Sequence, residues 1–316
     1  MTRNTEEMQS HIPVMLREFL EYCSPQRDER WIDGTFGYGG HAMALLERGC
    51  KVLALDWDEE AQKRAELLKE KREQFYFFRK NFSEMAEACF QIGWKDVDGI
   101  LLDLGVSLGQ LKDPKRGFSF HHPEAPLDMR MNQQSEKTAA VLLNNLTEEE
   151  LIKLFSVVCN SKESRKLATG LVGLRSTKLI QKVGDFLEVI KKAHLFKKKG
   201  SHAATKPFLA LRIAVNEELE HLERGLLEGT RLLKGGGRIA IISFHSTEDR
   251  IVKEFLRSHC VPKHRRGQGE EKQSQEMFFY KIEKILVSSE ESKRNPRSRS
   301  ARLRIGWKII SQGKST

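Results

Sequence analysis

Cysteine is sparse in this chain and never paired: the five residues at 23, 50, 89, 159 and 260 form no CxxC motif. With no paired histidine spacing beside them, neither a disulfide framework nor a zinc site is expected, and a reducing, cytoplasmic setting fits. Long apolar runs are missing as well. No stretch approaches the roughly 20 apolar residues of a membrane span, and residues 1–10 are polar, with two glutamates and no apolar leader core. Insertion and export are therefore not expected. No internal repeat is visible. What the chain does have is positive charge, 54 Lys and Arg against 44 Asp and Glu for a net of +10, which points to a polyanionic partner with RNA or DNA first in line. Its 316 residues, 39% hydrophobic, are enough for one large or two medium domains with real cores.

The chain is organised around Trp31-Ile-Asp-Gly-Thr-Phe-Gly-Tyr-Gly-Gly-His41, a short apolar segment that enters a glycine-rich loop and then a helix. Gly34, Gly37, Gly39 and Gly40 let the main chain turn sharply and lie against a ligand. Two cofactor classes compete for such a loop. Gly37-x-Gly39-x-x-Ala42 formally satisfies the dinucleotide fingerprint, in which amides and a helix N-terminus hold a pyrophosphate. Asp33, four residues before Gly37, tilts the choice, because a carboxylate there suits the sulfonium and ammonium of S-adenosylmethionine better than two phosphates. A second apolar run, Lys51 to Asp56, ends in an acid where a doubly wound fold places its ribose-binding carboxylate.

In chain order, strands are expected at Trp31–Asp33, Lys51–Asp56, Phe75–Phe78 and Asp98–Asp103, with a charged helix from Asp58 to about Glu73 and Asn81-Phe82 placed to meet the base of a cofactor. The run Asp98-Gly-Ile-Leu-Leu-Asp103 is nearly continuous in apolar residues, as a parallel strand buried on both faces should be. The polar, breaker-rich segment after Asp103 lies where an open α/β sheet carries its substrate chemistry. From about Thr138 to Ala204 only helices are expected. One long helix, Pro207 to Leu233, then ends at Gly235-Gly-Gly237, and a strand Arg238–Phe244 delivers His245. A helix to about His259 and a polar loop, Lys263 to Glu276, precede two runs, Phe278–Val287 and Ala301–Ile309. With no helix between them, those runs should pair antiparallel. The expected fold is an α/β, doubly wound Rossmann-like sheet with an antiparallel final strand, as in class I methyltransferases. The domains are expected as 1–115 and 207–316 around an inserted helical substrate-recognition domain at 116–206.

Eight segments, spread in order over nearly the whole chain, resemble the RsmH (MraW) family of bacterial small-subunit ribosomal RNA methyltransferases. They are His11-x-Pro-Val, Asp33 to His41, Gly99 to Ser107, Arg116-Gly-Phe-Ser-Phe120, Pro126 to Met131, Ala210 to Leu219, Gly236 to Ser246, and Asn295-Pro-Arg-Ser-Arg-Ser300. The resemblance implies N4-methylation of a cytidine in the decoding region of 16S rRNA, with the small ribosomal subunit as partner, and leaves open whether the chain pairs with a second copy. It further implies that Gly39, Gly40 and His41 line the methionine end of S-adenosylmethionine. By the same resemblance Asp56 holds the ribose, Phe82 borders the adenine, and Asp103 and Gln110 complete the site. This chain departs from the family at Ser107-Leu-Gly-Gln110, Asn132, Thr247 and the segment near Asn160–Glu163.

The chemistry adds its own constraints. The N4 lone pair of cytosine is delocalised, so methyl transfer needs a hydrogen-bond acceptor on the amine, in-line placement and exclusion of water. Asp103 and the following Gly105-Val-Ser107 loop are the first candidates for orienting that amine, with Asp128 and His245 behind them. Carbon-5 methylation would need a thiolate, and no cysteine lies in the loop after the fourth strand. No metal site is expected, since His121-His122 has no third ligand spaced for one. Ser161 to Lys206 carries 12 Lys and Arg against three acids. Lys197, Lys198 and Lys199, with Arg294, Arg297 and Arg299 near the C-terminus, are the candidate RNA contacts.

Overall fold

The protein was analysed as a computed structural model, which describes residues 13–194, 202–261 and 276–310. The expected loop at 263–276 falls almost wholly outside them, as do Lys197, Lys198 and Lys199. The chain divides into two compact units, Met1–Gly105 with Leu219–Thr316, and Val106–Glu218.

The first unit is a seven-stranded sheet. In chain order its elements are α1 (Leu16–Cys23), β1 (Arg30–Asp33), α2 (Gly40–Glu47), β2 (Lys51–Leu55), α3 (Glu59–Lys69), β3 (Phe75–Phe78), α4 (Met85–Gln91) and β4 (Val97–Asp103). The second unit then contributes α5 (Leu108–Lys112), α6 (Ala139–Asn145), α7 (Glu148–Ser156), α8 (Ser161–Arg175), α9 (Val183–Lys192) and α10 (Thr205–Asn216). The first unit resumes with α11 (Glu218–Leu232), β5 (Leu233–Ser243), α12 (Ser246–Ser258), β6 (Phe279–Leu286), α13 (Ser289–Arg294) and β7 (Arg302–Lys308). Strand order is β3-β2-β1-β4-β5-β7-β6; the first five run parallel, and β7 lies antiparallel between β5 and β6. This is the doubly wound sheet of a class I methyltransferase.

Both faces of the sheet are buried, which explains why β4 is apolar along most of its length. One face packs Trp31, Leu101 and Ile242 with Phe19 and Leu45, and the other packs Ile32, Ile100 and Leu102 with Leu222 and Leu226. Trp31 is fully buried, and its ring carries the Arg238 guanidinium at 4.7 Å. Arg238 is in turn held by Glu29 at 2.6 Å, and the indole nitrogen donates to the same carboxylate. This knot fixes the entry ends of β1 and β5, opposite to the edge where their functional side chains emerge.

Four expectations need correction. The charged helix after Asp58 stops at Lys69, four residues short of the expected end, with Glu70 as its cap. The expected helix from 207 to 233 is two helices, because Glu217 takes a left-handed conformation (φ 48°) between α10 and α11. The glycine triplet does not end a helix; it lies in β5, where a register irregularity against β4 absorbs it. The β6 to β7 connection contains α13 and a 3₁₀ turn, Pro296–Ser300, yet the two strands still pair antiparallel.

The second unit is helical, as its sequence indicates. Thr138, Thr147 and Asn160 cap α6, α7 and α8, the last two with reciprocal bonds to Glu150 and Glu163. Its breaker-rich segment is ordered by main-chain contacts. Arg116 donates to the carbonyls of Arg130 and Met131, and Asn216 receives the Met131 amide while donating to Met129. Helix α10 packs on α6 and α7, which places the unit's end after Glu218 where composition placed it near 206.

Gly99 sits where any Cβ would overlap the Trp31 ring. Gly99→Ala is expected to destabilise the protein by about 1 to 3 kcal/mol through overpacking, read as a lower urea midpoint at unchanged slope. An unchanged midpoint would contradict the packing described.

Candidate active site

Strands β1 and β4 end in Asp33 and Asp103, and Asp56 directly follows β2. Asp33 is 1% exposed; its Oδ1 accepts the Thr35 amide at 3.2 Å, and its Oδ2 makes no aligned hydrogen bond, the Ala42 amide only tempering the cost of its charge. Burial pushes its carboxyl up to about 7, and the nearby Asp56 carboxylate adds to that shift. Asp103 stands on the neighbouring strand. Its backbone amide donates to the Thr35 hydroxyl at 2.6 Å, while its Oδ1 is buried without a partner. Burial, then the carboxylates of Asp33, Glu248 and Glu291, hold Asp103 well above the ordinary carboxylate range. Glu291, on α13, accepts the Met15 amide at 2.9 Å and is itself raised, first by burial and also by Glu18. One Glu18 oxygen is likewise buried and unpartnered. The floor of this edge is thus an assembly of carboxyl groups; the His41 ring stands 3.7 Å from Asp103, and Arg294 offsets part of the shift of Glu291.

The loop between β1 and α2 is shaped by positive φ at Gly37 and Gly39, the latter the N-cap of α2. Gly40 answers a different need, because a Cβ there would overlap the Pro13 ring. The Pro13-Val14 segment so positioned reaches His41. The His41 ring lies 3.2 Å from the Val14 carbonyl through Nε2 and 3.7 Å from Asp103 through Nδ1, and it is packed edge-on against Phe19. A donating Nε2–H orients Nδ1 toward the carboxylate floor. Asp56 braces the loop from the other side, accepting the amides of Gly37 and Asp58 at 2.8 and 2.9 Å. Burial raises Asp56 to about 6.

Beyond Asp56 lies a group of residues that motif reading passed over. The Trp57 ring meets His221 edge-on at 5.2 Å, His221 is 3.0 Å from the Ser83 hydroxyl, and Arg224 donates to that hydroxyl at 2.7 Å. Phe82 is half-buried, packed so closely on Gly225 of α11 that a Cβ there would overlap its ring. Glu18 and Glu291 were also passed over, being charged positions in segments with no motif.

The remaining predicted residues are placed as follows. Asp128, in the second unit, is engaged by Arg130 through Nε–Oδ1 at 2.9 Å and Nη2–Oδ2 at 2.7 Å, which ties its carboxylate to the turn that contains it. Gln110, also there and buried, closes a reciprocal cap with Ser107 at the start of α5. His245 caps α12, its Nδ1 accepting the Glu248 amide, with Nε2 2.9 Å from Glu248 Oε1 but not aligned for a hydrogen bond. Arg294 pairs with Glu290 at 3.4 Å, whereas Arg297 and Arg299 are exposed on the 3₁₀ turn.

Residues 8–309 match the model of the MraW methylase family. The chain is 72% identical over 315 residues to the ribosomal RNA small subunit methyltransferase H of Methylacidiphilum infernorum, covering 100% of this chain and 99% of that one. It is 40% identical to the protein of the same name from Thermotoga neapolitana, covering 96% and 97%. Among solved structures, an rRNA methylase from Streptococcus thermophilus aligns with a TM-score of 0.40 at 10% identity, over 93% of this chain and 95% of that one.

The carboxyl floor has a direct consequence for pH. A carboxyl raised in the folded state contributes stability below its unfolded value near 4 that is lost as pH rises through its folded value, here about 6 for Asp56 and about 7 for Asp33. A cationic ligand reverses that loss by favouring the ionised forms. Binding of S-adenosylmethionine is therefore expected to release protons and to tighten between about pH 5.5 and 7.5, by up to about tenfold per unit for each proton released. Calorimetry in buffers of different ionisation enthalpy reads this. Binding with no proton release across that interval would contradict the raised carboxyls.

Proposed function

Since the chain belongs to the MraW methylase family, we propose that it transfers a methyl group to the exocyclic N4 of a cytidine in the decoding region of 16S ribosomal RNA. The observation that carries this reading is the unpartnered Oδ1 of Asp103, buried at the end of β4 beside the glycine loop. S-adenosylmethionine, the family's cofactor, supplies when bound an electrophilic methyl group on a positive sulfur.

The residues present fit that group. Asp33 and Asp103 leave one buried oxygen each for positive charge, and His41 borders them. Asp56 braces the loop and is the acid placed to receive the two ribose hydroxyls. Trp57 and Phe82 stand on the rim beyond it, suited to the flat face of a base.

Asp103 has a second task at the acceptor. By accepting a hydrogen bond from the amine it turns the nitrogen lone pair out of conjugation with the ring, and burial keeps water from competing for that position. As the N–C bond forms and the C–S bond breaks, the nitrogen must shed one proton. With its ionised form favoured by the positive charge of the bound cofactor, the Asp103 carboxylate is the acceptor placed for that proton. The helical unit contributes RNA affinity through its excess of basic residues, and the reaction is assigned to the small ribosomal subunit in the cytoplasm.

Asp103→Asn keeps the shape of the side chain and removes its capacity as a base. Methyl transfer into small-subunit rRNA, followed by mass spectrometry of the nucleosides, is expected to slow by about 100-fold or more, with cofactor affinity falling by less than about tenfold. Equal losses in the two measurements would reduce Asp103 to a cofactor contact.

A further inference from the structure

A pocket of about 430 Å³ opens on the first unit where β5 gives way to α12, within the size range of small-ligand sites. Its polar lining comes from four places: His245 and Ser246 at the start of α12, Ser289 and Ser292 on α13, Arg299 and Ser300 on the 3₁₀ turn, and Arg302 at the start of β7, which is held by Asp249. Phe244, Leu286, Val287 and Ala301 supply an apolar floor. The turn is built to present Arg299 here. Asn295 caps it through the Arg297 amide, Pro296 opens it, and Ser298 is fully buried with its hydroxyl bonded to the Asn295 carbonyl. The Asn295–Ser300 motif therefore divides into scaffold and presented side chains.

The charge around the pocket is one-sided. No carboxylate lines it. The acids nearest in sequence are already engaged: Glu248 by the Phe244 amide, Asp249 by Arg302 and Arg304, Glu290 by Arg294, and Glu291 by the Met15 amide. Arg299 has no ion-pair partner among the described residues, and the hydroxyls of Ser246, Ser289, Ser292 and Ser300 have no hydrogen-bond partner among them either. Four hydroxyls and an unpaired guanidinium around an apolar floor match a group rich in acceptor oxygens attached to a flat, less polar body. That is the chemistry of a phosphodiester with its sugar and base.

We propose that this pocket is a subsite for one phosphodiester of the RNA strand that carries the target nucleotide, with Arg299 as its charged contact. The assignment rests on the proposed RNA substrate. It adds a fixed point on the backbone, so that the strand is positioned by its phosphate while the target base is presented to the carboxyl floor.

Full-length wild type, Arg299→Ala and Arg299→Lys would be titrated with small-subunit rRNA across a salt series, alongside methyl-transfer kinetics and S-adenosylhomocysteine calorimetry. Arg299→Ala is expected to flatten the salt dependence of RNA binding by about 0.7 in the log–log slope and to raise KM about tenfold with kcat little changed. Cofactor affinity should be unaltered, and Arg299→Lys should recover the slope but only part of the affinity. A wild-type slope and KM in Arg299→Ala would overturn the subsite. So would loss of cytidine monophosphate binding with the RNA slope intact, which would assign the pocket to a free nucleotide. Wild-type protein that shows the expected slope difference yet transfers no methyl group would support the subsite and overturn the proposed reaction instead.

Discussion

Asp33 and Asp103 end neighbouring parallel strands with one oxygen apiece buried and unmatched, and folding tolerates this because both carboxyls can stay protonated until a cation arrives. An isolated ionised carboxylate in such a place would cost several kcal/mol. The carboxylates of Glu248 and Glu291 raise Asp103 further. An unmatched carboxyl cluster is poor design for stability and good design for a ligand that brings positive charge, because stabilisation forgone in the free protein returns on binding.

The surrounding architecture follows from holding these groups in place. The sheet fixes the two aspartates through the register of β1 against β4, and the knot of Trp31, Arg238 and Glu29 ties β1 to β5 at the opposite end. Gly40 admits Pro13 so that Val14 can hold the His41 ring against Asp103, and Met15 in a left-handed conformation offers its amide to Glu291. Residues distant in sequence thereby converge on one edge. The segment before α1, the glycine loop, the end of β4 and the β6 to β7 connection each contribute a side of the floor.

Much of this was legible in the sequence. The β/α alternation showed in short apolar runs that end in acids, and the helical unit showed as a stretch without strand signals. Other features left no local signal. Nothing in Asn216-Glu217-Glu218 marks a helix break, since no glycine or proline stands there, and a glutamate at positive φ is a tertiary outcome. The triplet Gly235–Gly237 signals an interruption without saying which element is interrupted. Glu18 and Glu291 look like surface charges on short amphipathic helices, and only the fold brings Glu291 within reach of Asp103 and Glu18 within reach of Glu291. Asp128 and His245 are plausible acids and bases by type; their hydrogen bonds to Arg130 and to the start of α12 are invisible until the turns are built.

The account stands on the protonation of the carboxyl floor. Carbon-13 NMR titration of the aspartate side-chain carboxyls, with and without bound S-adenosylmethionine, measures it residue by residue. In the free protein Asp33 is expected to titrate near 7 and Asp103 well above the ordinary range, with both falling toward ordinary values once the ligand is bound. Asp33 and Asp103 that titrate near 4 in the free protein, and do not move on binding, would contradict it.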